Sequence, residues 1–105
     1  MSAEDFFALY DRGQVNVLDI REPEEIDISS LHASINIPMM EIEDKVEELN
    51  TNLLGNDHPT IVLCRSGVRS ETVTRFLIEL GYQNFYNLSG GVNGLSKLRK
   101  EIKSY

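Results

Sequence analysis

The residues best suited to chemistry form one short stretch, which contains the only cysteine of the chain. The stretch consists of Cys64, Arg65, Ser66, Gly67, Val68, Arg69 and Ser70. Residues 60–63 before it are mostly apolar, which is typical of a short buried β-strand. A helix is predicted after it, over residues 71–80, because apolar residues recur there at helical spacing, at Val73, Phe76, Leu77 and Leu80. The cysteine therefore stands where a strand ends and a helix is about to begin.

A loop in this position is a binding site for an anion. Backbone N–H groups in the turn and in the first helical turn have no intrahelical acceptor and point at whatever lies in the loop. Arg65 and Arg69 add two positive charges, and Gly67 allows a positive φ that curls the amides inward. A thiol placed there should have a lowered pKa and be held largely as the thiolate. We therefore predict that Cys64 is an activated nucleophile in an anion-binding loop.

A less specific interpretation applies to each of these residues taken alone. A lone cysteine after an apolar strand is more often a small buried apolar residue, and lone arginines are usually solvated. Here, however, a strand, a cysteine, two arginines, a glycine and a helix start occur together within a few positions. That combination favours a functional site.

The rest of the chain alternates between predicted strands and helices that could hold this loop. Strands are predicted at residues 15–20, 35–37, 60–63 and 84–88. A first helix is predicted from a capping box at Ser2 and Asp5 to about residue 10, ended by Gly13. An acidic turn or helix start is predicted at residues 22–25, and a longer helix at 39–53, stopped by Gly55 and Asn56.

A last helix is predicted from residue 92 to residue 102, with apolar residues at helical spacing at Val92, Leu95, Leu98 and Ile102. Its other face is basic and is expected to be solvated, with Lys97, Arg99, Lys100 and Lys103.

This alternation predicts an α/β fold. We expect a three-layer sandwich with a central, mostly parallel sheet of four to five strands covered by helices on both faces. The carboxyl ends of parallel strands share one edge, where ligands bind. The cysteine loop, Asp19 with Arg21, and the turn at Gly90 and Gly91 should converge on that edge. We predict that Asp19 orders the loop or its arginines. For Arg21, the same supporting role and a position on the surface are equally compatible with the sequence.

Composition and charge restrict the possible functions. The 105 residues suit a single domain, residues 1–105, and 41% hydrophobic with 26% charged residues is ordinary for a soluble globular protein. One cysteine excludes an internal disulfide and a multi-cysteine metal site. A net charge of −7 argues against nucleic acid as a partner. No run of roughly 18 apolar residues that could span a membrane is present, and no signal peptide, so a cytoplasmic location is expected.

No metal and no cofactor are predicted. His32 and His58 are isolated from the cysteine loop and have no partner at the spacing of a metal ligand or a base. We expect both to be surface or turn residues.

The chain resembles a single rhodanese-like domain over nearly its whole length. The cysteine loop at residues 64–70 matches the active-site loop of that family, and residues 18–21 resemble its Asp-x-Arg element. Asn36, Ile37 and Pro38 fit its Asn-Ile-Pro element, and residues 88–91 fit its late double-glycine turn. Two positions differ from the family pattern. Residues 29–31 stand where the family often has Gly-His-Ile, and Leu95 stands where it usually has a tryptophan. The cysteine loop is the specific signal.

The resemblance implies sulfur transfer by a thiosulfate sulfurtransferase. The Cys64 thiolate would attack the outer sulfur of a small anionic donor such as thiosulfate, sulfite would leave, and a persulfide would form. Residues 65–70 would hold that persulfide, and Arg65 and Arg69 would bind the sulfonate end of the donor. Cyanide, a thiol or a partner protein would then accept the sulfur. Relatives that prefer mercaptopyruvate usually carry small neutral residues in place of these arginines, which favours thiosulfate.

Two alternatives stay open. The domain could be a sulfur-relay or regulatory module that serves one protein partner and turns over small donors poorly. A phosphatase is disfavoured, because cysteine phosphatases place an arginine six positions after the nucleophile, where Ser70 stands here. Phosphatases of the rhodanese type also have a loop one residue longer, and a tighter loop suits one added sulfur atom better than a phosphoryl group.

Overall fold

The central sheet consists of four short strands, all parallel. The computed structural model describes residues 1–53 and 57–105. Its strands are β1 (Asn16–Asp19), β2 (Ser34–Asn36), β3 (Thr60–Leu63) and β4 (Phe85–Asn87), in the spatial order β2-β1-β3-β4. In the register, Leu18 of β1 lies opposite Ile35 of β2 and Val62 of β3. The four strands predicted from apolar runs are therefore all present: β3 has the predicted bounds, β1 and β4 are each two residues shorter, and β2 is shifted by one residue.

Helices lie before, between and after the strands, and those between them make the crossovers that parallel pairing requires. They are α1 (Ala3–Tyr10), α2 (Pro23–Ile28), α3 (Ile42–Leu53), α4 (Val68–Glu79) and α5 (Gly91–Ser96), with a 3₁₀ turn at Met39–Glu41 before α3. Ser2 caps α1, since its hydroxyl accepts a hydrogen bond from the N–H of Asp5 at 3.1 Å. The predicted stop of α3 at Gly55 and Asn56 lies outside the described residues.

Alternate residues of the strands supply two separate hydrophobic cores. Val62 and Leu18 face α3 and α4, where they pack with Ile42, Val46, Leu49, Val73, Leu77 and Phe85. Ile61 and Val17 point the other way and pack with Phe6, Phe7, Leu88, Val92 and Leu95 of the α1 and α5 layer. Each fully buried side chain of this size stabilises the fold by about 1.5–3 kcal/mol. The predicted three-layer α/β sandwich is confirmed.

Helix α4 begins earlier than the apolar spacing predicted. It starts at Val68 rather than at residue 71, and Gly67 stands before it at φ 97°. Ser70 therefore lies in the first turn of the helix, where backbone N–H groups have no helical acceptor. The predicted apolar face is correct at Val73 and Leu77, which are buried, and wrong at Leu80, which is half-exposed at the helix end.

The predicted C-terminal helix is wrong beyond Ser96. Helix α5 has six residues, of which Gly91 and Gly94 lower its helical propensity, and the chain continues in turns. Leu98 is half-exposed as a result, although Ile102 still packs into the core. The predicted solvated basic face is also wrong at Arg99, because its guanidinium lies 3.7 Å from the ring centroid of Phe7 and pairs with Asp11.

Within the described part of the chain, no helix is both long enough and apolar enough to cross a membrane.

Candidate active site

The sulfur of Cys64 lies at the base of a ring of hydrogen-bond donors. Cys64 follows β3 directly and is only 1% exposed. Its Sγ accepts a hydrogen bond from the N–H of Gly67 at 3.1 Å and another from the N–H of Ser70 at 3.4 Å. The Oγ of Ser70 lies 3.2 Å from the same sulfur. The positive φ of Gly67 turns the chain so that these groups converge on one atom.

These donors determine the ionisation of the thiol. Burial alone raises the pKa of Cys64, because it disfavours the charged form. The hydrogen bond with the Ser70 side chain and those from the N–H groups of Ser70, Gly67 and Ser66 outweigh burial, so the pKa lies below its ordinary value. The sequence predicts a share of this effect for the two arginines, but the main causes that lower the pKa of Cys64 are hydrogen bonds.

Asn87, at the end of β4, supports this ring of donors. Its Oδ1 accepts a hydrogen bond from the hydroxyl of Ser70, and its Nδ2 donates to the carbonyl of Gly67 at 3.3 Å. Sequence reasoning missed this residue. The available signal was its position as a polar residue at the carboxyl end of a strand next to β3, the edge where ligands bind in parallel sheets.

The double-glycine turn is packed directly against the cysteine loop. The N–H of Val92 donates to the carbonyl of Cys64 at 2.9 Å, and the N–H of Asn93 donates to that of Arg65 at 3.0 Å. A Cβ on Gly91 would lie 2.5 Å from the Cys64 carbonyl oxygen and 2.6 Å from the carbonyl of Arg65. No side chain fits in that space, so glycine is required where the two segments meet.

Arg69 is held by a carboxylate from another element. Its two terminal nitrogens donate to the two oxygens of Glu25 in α2, at 2.7 and 2.8 Å. The Arg69 guanidinium is the main reason that the pKa of Glu25 falls to about 2, and Glu25 in turn raises the pKa of Arg69. Sequence reasoning placed Glu25 in an acidic turn only and had no signal for this pairing.

The side chain of Tyr105 contacts both Arg21 and Arg65. Its hydroxyl donates to Oε2 of Glu25 at 2.7 Å and accepts from Arg21 at 3.0 Å. The guanidinium carbon of Arg65 lies 4.8 Å from the centroid of its ring, within the range of a cation–π contact. Arg65 and Ser66 are exposed at the mouth of the loop, as is Val68.

Asp19 and Arg21 form a fully buried ion pair beneath this mouth. Arg21 donates from Nε to Oδ1 of Asp19 at 2.9 Å and from its terminal nitrogen to Oδ2 at 2.7 Å, and also to the carbonyl of Ser29. Asn36 donates to the backbone carbonyls of both residues at 2.9 Å. Burial lowers the pKa of Arg21, but its bonds to Asp19 and Tyr105 outweigh this and raise it. Arg21 is therefore part of the buried support rather than of the surface, and it reaches the loop through Tyr105, Glu25 and Arg69.

The histidines lie away from this site. His58 precedes β3, at the opposite end of that strand from Cys64, and its carbonyl accepts a hydrogen bond from Asn16. His32 is exposed before β2.

An α/β domain with a buried cysteine whose sulfur faces backbone N–H groups at the end of a central strand defines the class of this protein. The rhodanese-like domain family matches residues 2–98, and the chain belongs to that family. It is 32% identical over 84 residues to a sulfurtransferase of Allochromatium vinosum, covering 80% of this chain and 74% of that protein. It is also 32% identical over 78 residues to a putative sulfur carrier protein of Bacillus subtilis, covering 74% of this chain and 40% of that protein.

The fold is also similar to that of solved structures. A rhodanese-related protein of Thermoplasma volcanium superposes with a TM-score of 0.79 at 31% identity, covering 94% of this chain and 91% of that one. Some other curated relatives are much longer, and the chain spans about a third of their length or less. Family membership and these relatives together support sulfur transfer as the general activity.

Proposed function

We propose that this protein is a thiosulfate sulfurtransferase in which Cys64 carries the transferred sulfur as a persulfide. One observation carries the proposal: the Cys64 sulfur faces the N–H groups of Gly67 and Ser70, and hydrogen bonds lower the pKa of its thiol. The thiolate is the nucleophilic form of cysteine. The chain contains no second cysteine that could displace the sulfur, so an external acceptor must discharge the intermediate.

In the first step, the Cys64 thiolate attacks the outer sulfur of thiosulfate. A sulfur–sulfur bond forms at Cys64, the sulfur–sulfur bond of the donor breaks, and its electron pair leaves with sulfite. The enzyme-bound product is a persulfide anion, and the N–H groups of residues 65–70 would stabilise its charge. No proton is needed on the leaving group, so the absence of an acidic side chain from the loop sequence is compatible with this step.

In the second step, a nucleophile such as cyanide or a thiolate attacks the outer sulfur. The persulfide bond breaks and its electron pair returns to Cys64, which restores the thiolate. Two covalent half-reactions of this kind give ping-pong kinetics. In this proposal Arg65 and the free N–H groups of Arg69 bind the sulfonate end of the donor, since a guanidinium group suits paired oxygens.

The test is intact-mass analysis of the protein after incubation with thiosulfate. We expect a gain of one sulfur atom, followed by rapid loss of that mass and release of thiocyanate when cyanide is added. Cys64→Ser should abolish both signals, and Ser66→Ala, a matched change in the same loop, should retain them. Normal turnover by the Cys64→Ser variant would refute the mechanism.

A second candidate is a relay module that passes its sulfur to one protein partner. It is favoured by the similarity to a putative sulfur carrier protein and by the deep position of Cys64, which limits access for acceptors. A persulfide that forms with thiosulfate but persists in cyanide or small thiols would favour the relay over the enzyme. Hydrolysis of an aryl phosphate would instead favour the phosphatase.

A further inference from the structure

We propose that Glu25 is a specificity-determining residue that makes the site favour sulfur donors with one negative charge over donors with two. The proposal rests on the proposed sulfur transfer and concerns its donor class. Thiosulfonates and small persulfides are donors with a single negative charge. Thiosulfate carries two.

The Glu25 carboxylate is fixed in place. It accepts hydrogen bonds from both terminal nitrogens of Arg69, from the hydroxyl of Tyr105 at 2.7 Å and from the N–H of Glu22 at 3.2 Å. Four donors from three segments of the chain hold it, and its side chain is only 21% exposed. An incoming anion therefore meets this carboxylate rather than displacing it, because displacement would leave several donors unpaired.

Glu25 also cancels half of the positive charge that the two arginines of the loop sequence suggest. Arg69 pairs with Glu25, and Arg21 pairs with Asp19, so each pair has a net charge of zero. Of the three arginines described around the loop, Arg65 alone has no ion pair with a carboxylate, and it lies over the ring of Tyr105. Its single charge balances the Cys64 thiolate. The site therefore has no excess positive charge. Its negative groups repel a donor with two negative charges more strongly than a donor with one.

The chemistry is the same for both donor classes. With benzenethiosulfonate, the Cys64 thiolate attacks the outer sulfur, the sulfur–sulfur bond of the donor breaks, and benzenesulfinate leaves with the electron pair. Any difference between this donor and thiosulfate that depends on Glu25 therefore reports charge rather than mechanism.

The test compares the variants Glu25→Gln and Glu24→Gln with the unchanged protein, using thiosulfate and benzenethiosulfonate as donors and cyanide as the acceptor. Glutamine keeps the size of Glu25 and an acceptor for Arg69, but removes the charge. Glu24 is the exposed neighbour in α2, so its variant loses the same formal charge at a different position.

For Glu25→Gln we expect the KM for thiosulfate to fall by about tenfold, equivalent to about 1.4 kcal/mol. The KM for benzenethiosulfonate should fall by about threefold, because a Coulomb energy scales with the charge of the ligand. Both changes should shrink as salt is added, kcat should stay the same, and Glu24→Gln should resemble the unchanged protein.

Three outcomes would overturn the inference. These are equal changes for the two donors, an increase in both KM values, and the same result for Glu24→Gln. If Glu25→Gln fails to fold, the salt dependence of the unchanged protein decides: a steep rise in the KM for thiosulfate with salt would show excess positive charge and refute the proposal. Failure of both donors to add sulfur to Cys64 would instead refute the proposed function itself.

Discussion

Ser70 provides the sharpest test of how the loop ionises its thiol. Its Oγ lies 3.2 Å from the Cys64 sulfur, and its N–H, 3.4 Å from the same atom, belongs to the backbone and survives substitution. Ser70→Ala therefore removes a hydroxyl that bonds to Asn87 and can turn its proton to the thiolate, and it leaves the backbone N–H donors in place. The side chain is fully buried, so water cannot easily replace the lost hydroxyl.

The size of the effect follows from the contacts of that hydroxyl. A hydrogen bond to a charged group contributes about 1.5–3 kcal/mol. The lower end applies here, because the neutral thiol also bonds to the Ser70 oxygen and because Asn87 competes for the same hydroxyl proton. A loss of about 1.4 kcal/mol lowers the ratio of thiolate to thiol roughly tenfold at a given pH. The pKa of Cys64 in Ser70→Ala should accordingly be higher than in the unchanged protein.

The measurement is the rate of alkylation of Cys64 by iodoacetamide as a function of pH, with the ultraviolet absorbance of the thiolate as a second reading. The single cysteine makes both signals specific. Ser66→Ala is the matched control, because it removes a hydroxyl from the same loop while keeping the Ser66 N–H that helps to lower the pKa of Cys64. The midpoint should move to higher pH in Ser70→Ala only.

Two results would contradict this reasoning. An unchanged midpoint would show that the backbone N–H groups alone determine the ionisation. A midpoint at lower pH would show that the Ser70 hydroxyl keeps its proton on Asn87 and turns only its oxygen toward the sulfur.

Three further expectations follow from the geometry. Gly91→Ala should destabilise the fold by about 2–5 kcal/mol in urea unfolding, because it places alanine at a positive φ and adds a clash with the Cys64 carbonyl. Gly81→Ala is the control: Gly81 also has a positive φ but open space around it, so the loss should be only about 1–2 kcal/mol. The pKa of Glu25 is depressed from 4.5 to about 2, so its pairing with Arg69 stabilises the fold fully above pH 4.5, and this stabilisation is lost as the pH falls toward 2. The difference in unfolding free energy between the unchanged protein and Glu25→Gln should shrink over that pH range. A constant difference would argue against a stabilising pair. Because Cys64 is almost fully buried, iodoacetamide should outpace a bulky maleimide by a larger factor than it does with free glutathione, measured by mass.

The sequence predicted the sheet and the position of Cys64 because both follow from local patterns. Short apolar strands alternate with amphipathic helices, and a strand followed by a helix places Cys64 at the ligand-binding edge. The partners of the arginines could not be predicted in the same way. Glu25 lies 44 residues from Arg69 and 80 from Tyr105, and no periodic pattern encodes which charged side chains meet across such distances.

The C-terminal segment shows a different limit. Val92, Leu95 and Ile102 are buried as the helical spacing predicted, but the helix itself ends at Ser96. Two glycines weaken it, and beyond its end Arg99 pairs with Asp11, the residue after α1. Apolar spacing predicted that these residues are buried, but it did not predict the backbone conformation between them.

The hydrogen bonds from Val92 and Asn93 have a consequence for the amides of the cysteine loop. In a trans peptide the C=O and the N–H point in opposite directions. The carbonyls of Cys64 and Arg65 are bound to α5, so the N–H groups of Arg65 and Ser66, which belong to the same two peptide planes, face away from that helix. Rotation of either plane would break a bond to α5 and turn an oxygen toward the thiolate. If the site binds an anionic donor as proposed, the dipoles that meet it are oriented before it arrives, and little reorganisation energy is spent when the charge forms.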